Sequence, residues 1–418
     1  MVLNHVRCTK KEMKNNFIKT KKYKNINLYL YFTSDYDLKK HLCLSLLAFF
    51  IGDYSKKYPT KEKMTFAKDN LYAANIYTGS KARAGLAYFT IKYTFLNPCF
   101  VDVDEKEFVA FFKELVLNPY FSEELLEEFK TIYKANIQRT LDKPNKYASN
   151  RVNQIIGQED PIFNIYTVDK IDMIDSITLD DVKNVYHDLL NNFGVDVFLI
   201  GDYSDDLLAY AKSLVKEHDY RFNNCSLNIN ELGEIVEDKN VSQSSLQIVY
   251  KTPFNRTSKE FYAYMLGNSV FGIVPTSLLF DEVREKLSLC YYISVLDYKN
   301  EGIVKVYTAI DGKNKDELVK QVEIQLKRMI NKDYDPIKLD YARALLADSL
   351  NALQDNTDAY TEYYFMNKLH GIECNRQEYI KNLESVTVDD ISEVFKKYQH
   401  VLTYMLNGVT YYNKSRKN

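Results

Sequence analysis

Ser176-Ile-Thr-Leu-Asp-Asp-Val-Lys-Asn-Val-Tyr186 returns later in the chain as Ser385-Val-Thr-Val-Asp-Asp-Ile-Ser-Glu-Val-Phe395. The copies start 209 residues apart (385 − 176), half of the 418-residue chain. Each has a Thr suited to cap a helix and Asp in the first turn, where an acid meets the positive helix end. Each then continues with apolar residues at helical spacing. A strand-like run follows both: Val195-Asp-Val-Phe-Leu-Ile-Gly201 in the first copy and Val401-Leu-Thr-Tyr-Met-Leu406 in the second.

The correspondence extends outward. A long helix over 123–140 precedes Asp142-Lys-Pro and a second helix over 147–156. Likewise, a helix over 339–353 precedes Asp355-Asn-Thr and a helix over 359–370. Near the fronts of the halves, Ile26-Asn-Leu-Tyr-Leu-Tyr-Phe32 and Ser245-Leu-Gln-Ile-Val-Tyr250 read as strands rich in branched and aromatic residues. Longer β runs come next: 85–95 in the first half, and 291–296 with 303–310 in the second. The last two are joined by Asp297-Tyr-Lys-Asn-Glu-Gly302, a hairpin signal. The fold class is therefore α+β: two tandem homologous α/β-sandwich domains, each an antiparallel sheet covered by helices. The expected limits are an N-terminal domain over 1–220, a polar linker over 221–241 and a C-terminal domain over 242–418. Two copies are too few for a solenoid and fit a duplicated domain.

Bulk composition narrows the function. With 46% hydrophobic and 27% charged residues, the chain can bury a sizeable core. Its net charge of -2 supplies no electrostatic reason for a nucleic-acid partner. Cys8, Cys43, Cys99, Cys225, Cys290 and Cys374 form no C-x-x-C, so they read as free thiols in a reducing compartment. The basic start (Arg7, Lys10, Lys11, Lys14) is not followed by an apolar h-region, so no secretory signal is expected. The longest apolar stretch, 42–51, is about half of the roughly 20 residues a membrane-spanning helix needs. A soluble cytoplasmic protein is expected.

The most specific motif is Ser277-Leu-Leu-Phe-Asp-Glu-Val-Arg-Glu-Lys-Leu-Ser-Leu-Cys-Tyr291, preceded by Leu266-Gly-Asn-Ser-Val-Phe-Gly272. It resembles the stretch of pitrilysin-type zinc peptidases (the insulinase and mitochondrial processing peptidase family) that runs from a glycine-rich turn, through a helix carrying Arg-Glu-Lys, to a strand opening with Tyr. The resemblance covers essentially the whole chain. Its best match is the processing-peptidase branch, and within that a YmfF-like group of inactive metalloproteases. It implies the metallohydrolase fold of that family. It also implies that Arg284 and Tyr291, with Tyr292 as a neighbouring possibility, hold a peptide substrate. An Arg offers several fixed donors to carbonyls or a carboxylate, and a Tyr hydroxyl can donate to a developing oxyanion.

The family's chemistry needs H-x-x-E-H and a later Glu: two His on one helical face bind zinc, and the first Glu activates water. Lys57-Tyr-Pro59 resembles the Tyr-Pro that follows that helix. Counting back from it places the motif at Ser45-Leu-Leu-Ala48-Phe49, where neither His nor the Glu is present. His41 stands nearby, but no second His lies four residues from it in the sequence. The acids Glu123, Glu124, Glu127 and Glu128 occupy the third-ligand region, where they also read as ordinary capping of a helix after Ser122. His370-Gly-Ile-Glu373-Cys374 looks like a second metal motif, but Gly371 follows a helix end, so its side chains would not share one face. No metal or other cofactor is expected.

The implied role is a catalytically inactive subunit that supplies peptide-binding residues to a zinc-bearing pitrilysin-type partner of similar size in a heterodimer. The alternative is a non-proteolytic peptide-binding or structural assembly protein of the same fold.

Overall fold

The computed structural model describes residues 16–157, 171–224, 226–373 and 376–408. The chain divides into two compact units: Met1–Ala135, Asp169–Phe222 and Leu353–Ile372 form the first, and Asn136–Val168, Asn223–Ala352 and Glu373–Asn418 the second. Each unit thus includes a segment from the opposite half of the sequence.

The first unit is built on five strands: β1 (Phe17–Lys19), β2 (Asn25–Asp35), β3 (Asn75–Arg83), β4 (Leu86–Leu96) and β5 (Gly194–Gly201), in the order β1-β5-β2-β4-β3. Only β1 and β5 pair in parallel. The β3–β4 hairpin turns on Ala84 and Gly85, both with positive φ (43° and 85°), as a two-residue primed turn requires. β2 is buried along nearly its whole length. On one face, the Tyr31 ring stacks on Phe365 (4.1 Å, 18° between planes) and its hydroxyl lies 2.9 Å from Thr361 Oγ1. The neighbouring Tyr29 hydroxyl hydrogen-bonds Asp358 at 2.8 Å. Those partners belong to the helix Thr357–Leu369. A strand covered on both faces shows a near-continuous apolar run, as 26–32 does.

The second unit repeats the plan. Strands β6 (Gly233–Lys239), β7 (Ser244–Lys251), β8 (Cys290–Tyr298), β9 (Ile303–Ile310) and β10 (Gln399–Gly408) run in the order β6-β10-β7-β9-β8, with β6 and β10 parallel. The order and the single parallel pair match the first sheet strand for strand, the signature of duplication. One face packs Ile248, Val304 and Val306 against Leu266, Val322, Ile391 and Phe395. Each of these buried side chains contributes roughly 1.5–3 kcal/mol. The other face packs Val249, Ile303 and Tyr404 against Ala148, Val152 and Ile156.

The helices that carry the repeat, Leu179–Asn191 and Val388–Phe395, begin at Thr178 and Thr387. Both ends form complete capping boxes: the Asp181 and Asp390 amides donate to the Thr hydroxyls (3.1 Å each), and the Asp carboxylates accept from the Thr amides. Three features differ from the sequence reading. The polar stretch 221–241 contains strand β6. Strand β3 had no alternating signal and was not expected. Leu266–Gly272 is not a turn: it continues the helix Phe261–Asn268 into a π-helical segment, Ser269–Ile273. Its glycines serve close packing, since a Cβ on Gly267 would lie 2.5 Å from Phe395 Cε2 and one on Gly272 2.5 Å from Val295 Cγ2.

Cys43, Cys99 and Cys290 are free thiols, whereas Cys8, Cys225, Cys374 and the basic residues 7–14 lie outside the described residues. No helix among the described residues is long and apolar enough to cross a membrane.

Candidate functional site

Ser45, Ala48 and Phe49 lie on the helix Leu38–Phe50, capped by Asp37, which accepts from the Lys40 amide at 2.8 Å. Ser45 is buried; its Oγ donates to the His41 carbonyl at 3.0 Å and lies 2.7 Å from Ser80 Oγ on β3. Burial raises the pKa of the Tyr133 hydroxyl, and Ser45 partly offsets the rise. Ala48 offers only its carbonyl, which accepts from the Thr78 hydroxyl at 2.6 Å. Phe49 stacks on Phe129 at 5.3 Å. Hydroxyls and rings thus occupy the positions where the zinc ligands were sought.

Phe129 belongs to the helix Glu123–Leu141, whose acidic start was the third-ligand region. Ser122 Oγ caps that helix by accepting from the Leu125 amide at 3.2 Å. Glu127 pairs with Lys130 at 2.7 Å and Glu128 with Lys61 at 3.3 Å. These residues do not fit a zinc ion. Among the described residues, no group of three or more His, Cys, Asp or Glu is arranged to hold a metal. His370 caps the C-terminus of the helix Thr357–Leu369, and Gly371 beyond it has φ 68°. The helix therefore ends before Glu373, and Cys374 lies outside the described residues.

Arg284 and Tyr291 meet on one surface. Arg284 sits on a π-helical segment, Leu279–Lys286, anchored by fully buried Leu279 and Val283. Wide π turns are frequent at functional sites. Its guanidinium lies 4.5 Å above the Phe280 ring, and among the described residues its one ion pair is a loose one of 3.5 Å to Glu285. Ser288, with φ 52°, then turns the chain into β8. The pairing of β8 with β9 slips between Cys290 and Tyr292, so Tyr291 is the extra residue of a β-bulge. Bulges re-aim side chains near functional sites. Tyr291 is 74% exposed. Tyr292 is half-buried against the Tyr307 ring, and burial pushes its hydroxyl up to about 12.

A cleft of about 510 Å³ is lined by Arg284, Glu285, Ser288, Leu289, Cys290 and Tyr291 on one side. The other wall is Asp311, Lys313 and Asn314, which the sequence reading missed. The Asp-Gly-Lys-Asn turn after a strand was the available signal. Asn314 Nδ2 donates to the Leu289 carbonyl at 3.2 Å, tying the walls together. Lys313 and Asp311 pair at 2.9 Å. The lining holds two cations and two anions, which suits the neutral dipoles of a peptide backbone.

Comparison with known proteins now bears on this arrangement. The family model described as the peptidase M16 inactive domain matches residues 176–346. The chain is 22% identical over 406 residues to "Probable inactive metalloprotease YmfF" of Bacillus subtilis (strain 168), covering 94% of this chain and 95% of that one. The match to the M16 model lies within the chain's central and C-terminal part, and the likeness to the B. subtilis protein runs nearly end to end. Two solved structures share its fold from end to end. A conserved protein from Enterococcus faecalis V583 superposes with a TM-score of 0.85 at 23% identity, covering 95% of this chain and 96% of that one. A peptidase M16 inactive domain from Pseudomonas fluorescens superposes with a TM-score of 0.75 at 18% identity, covering 94% and 95%.

The pitrilysin-type resemblance and the two-sandwich fold expected from the sequence hold. The chain is similar to inactive M16 metalloproteases, and its Ser45–Phe49 stretch lacks the H-x-x-E-H residues. The sequence carries a wider version of the same point: its histidines stand at 5, 41, 187, 218, 370 and 400, and no two are closer than 30 residues (400 − 370). An M16 zinc helix needs two of them four residues apart.

Proposed function

We propose that this M16 homologue is the silent subunit of a cytoplasmic two-subunit peptidase, binding extended peptide through Arg284 and Tyr291 for a zinc-bearing M16 partner of similar length. One observation carries the reading. The Arg284 guanidinium and the Tyr291 hydroxyl stand on the same cleft wall, and neither donates a hydrogen bond within the described protein. Buried scaffolding and a bulge present donors that the fold itself leaves unspent. A guanidinium supplies several donors in a rigid plane, suited to peptide carbonyls or a carboxylate. A phenol can strengthen its hydrogen bond as negative charge develops on a carbonyl oxygen. A subunit without metal can still accelerate the reaction if these contacts tighten in the transition state. The three free thiols described fit a reducing compartment.

The test is purification with native partners, followed by R284A and Y291F in the complex. A co-purifying chain bearing H-x-x-E-H and a lowered peptide turnover with the complex intact support the reading. Unchanged turnover in both variants removes the clamp. The absence of any zinc-bearing partner favours the non-proteolytic assembly reading instead.

A further inference from the structure

Lys305, on β9, is a buried lysine with no acid beside it among the described residues. Its residue exposure is 0%, and its Nζ donates to Ser149 Oγ and Asn153 Oδ1, each at 2.9 Å. It also lies 4.9 Å above the Tyr298 ring. Both acceptors are neutral and both sit on the helix Pro144–Ile156. No carboxylate pairs with Lys305 among the described residues. A buried charge normally requires one, because desolvating an ammonium costs several kcal/mol.

The helix it holds has little stability of its own. It is 13 residues long, its N-cap Lys143 makes no side-chain capping bond, and its first turn has no acid. Isolated helices of this length are marginal in water, so docking maintains it. Its other fastenings are Ala148, Val152 and Ile156 against the sheet, and Glu237 on β6, which accepts from Tyr147 (2.6 Å) and Arg151 (3.0 Å).

The ionisable groups around this layer are Lys146, Tyr147 and Arg151 on the helix, Glu237 and Lys239 on β6, Lys251 on β7, Tyr298 on β8, Tyr307 on β9, Tyr404 on β10 and Glu301 in the β8–β9 turn. Glu237 is committed to Tyr147, Arg151 and the Tyr404 hydroxyl (2.9 Å). Lys251 donates to the Ile229 carbonyl at 2.6 Å.

We propose that Lys305 is a proton-operated fastener: its neutral amine docks the helix Pro144–Ile156 on the second sheet, and undocking takes up a proton. Burial, reinforced by the charge on Lys146, brings the amine down to about 7. Once exposed, the amine regains an ordinary value near 10.4. Opening therefore binds a proton between these two limits. Over that window the opening equilibrium rises about tenfold for each unit of falling pH, then levels off below about 7. The consequence reaches the cleft, because Asn145 at the helix start acts on the Tyr292 hydroxyl, next to Tyr291, drawing its pKa down against burial. That consequence rests on the peptide-binding reading, whereas the fastener stands without it.

The test is hydrogen exchange of the full chain followed by mass spectrometry between about pH 7.5 and 9.5, corrected for the intrinsic rate of amide chemistry. Peptides covering 144–156 should gain about tenfold protection per pH unit in the wild type, and K305M and K305Q should be flat. A flat wild type overturns the proposal, as does a variant that keeps the dependence. If neither variant folds, a lysine side-chain NMR titration of the wild type decides. One lysine should titrate at least two units below the rest, and its absence overturns the assignment.

Discussion

Asp196→Ala should cost the first unit about 3 kcal/mol. Asp196 is 4% exposed in the middle of β5, yet it carries a charge. Its Oδ2 lies 2.8 Å from His218 Nε2, and its Oδ1 accepts from the Lys368 ammonium on the helix Thr357–Leu369. Burial alone would raise the carboxyl's pKa; the His218 hydrogen bond and the Lys368 charge more than reverse this and hold it below the usual carboxylate value. Breaking a buried pair by removing one partner costs about 3–5 kcal/mol, because the other group loses its compensation. The lower end applies because the Lys368 side chain keeps 29% exposure and can reach water, whereas His218, at 4%, cannot.

For a unit of roughly 200 residues, that loss lowers the melting temperature by about 6–12 °C. The chain has 35 Tyr and no Trp, so urea and thermal unfolding are best followed by circular dichroism. D196A, K368M and the double variant form a cycle, and the double should cost clearly less than the sum of the singles. Because the folded pKa lies below the unfolded one, this stabilisation is full above about pH 4 and lost as pH falls through the folded value. The wild type and D196A should therefore converge in acid. A D196A cost below about 0.5 kcal/mol, or additivity in the cycle, would refute the reasoning.

Thr178→Ala and Thr387→Ala each remove one capping box and should cost about 1 kcal/mol apiece in urea unfolding, adding in the double variant because the boxes lie in different units. Gly267→Ala drives a Cβ into Phe395 and should destabilise the second unit by about 1–3 kcal/mol, and a neutral outcome would show that the ring can move aside. Purified from zinc-containing medium, the protein should carry far less than one zinc per chain by elemental analysis. Stoichiometric zinc would overturn the account of Ser45, Ala48 and Phe49.

The duplication was legible because it is written in local chemistry. A Thr cap, an Asp three residues on and apolar residues at helical spacing act within one turn of chain, so both copies could be matched by inspection. The absent zinc ligands were equally plain, since a metal site needs particular atoms and no packing supplies a missing imidazole. Strands β3 and β6 escaped because they lie at sheet edges. Edge strands are only partly covered, so 75–83 and 233–239 are mostly polar and lack the apolar run that marked β2. The choice between Tyr291 and Tyr292 escaped as well, because it depends on a bulge set by pairing with β9, distant in sequence.

The sequence by itself determined the paired architecture and the absence of an H-x-x-E-H motif, since each follows from which residues are present at short spacings. Tertiary structure alone decided three things: that Arg284 and Tyr291 share a cleft with Asp311 to Asn314, that Asp196 finds its cation on a helix from the other half of the chain, and that Lys305 finds no acid among the described residues. Each is a statement about which distant side chains become neighbours. The balance of burial and charge that follows exists only after the chain has folded.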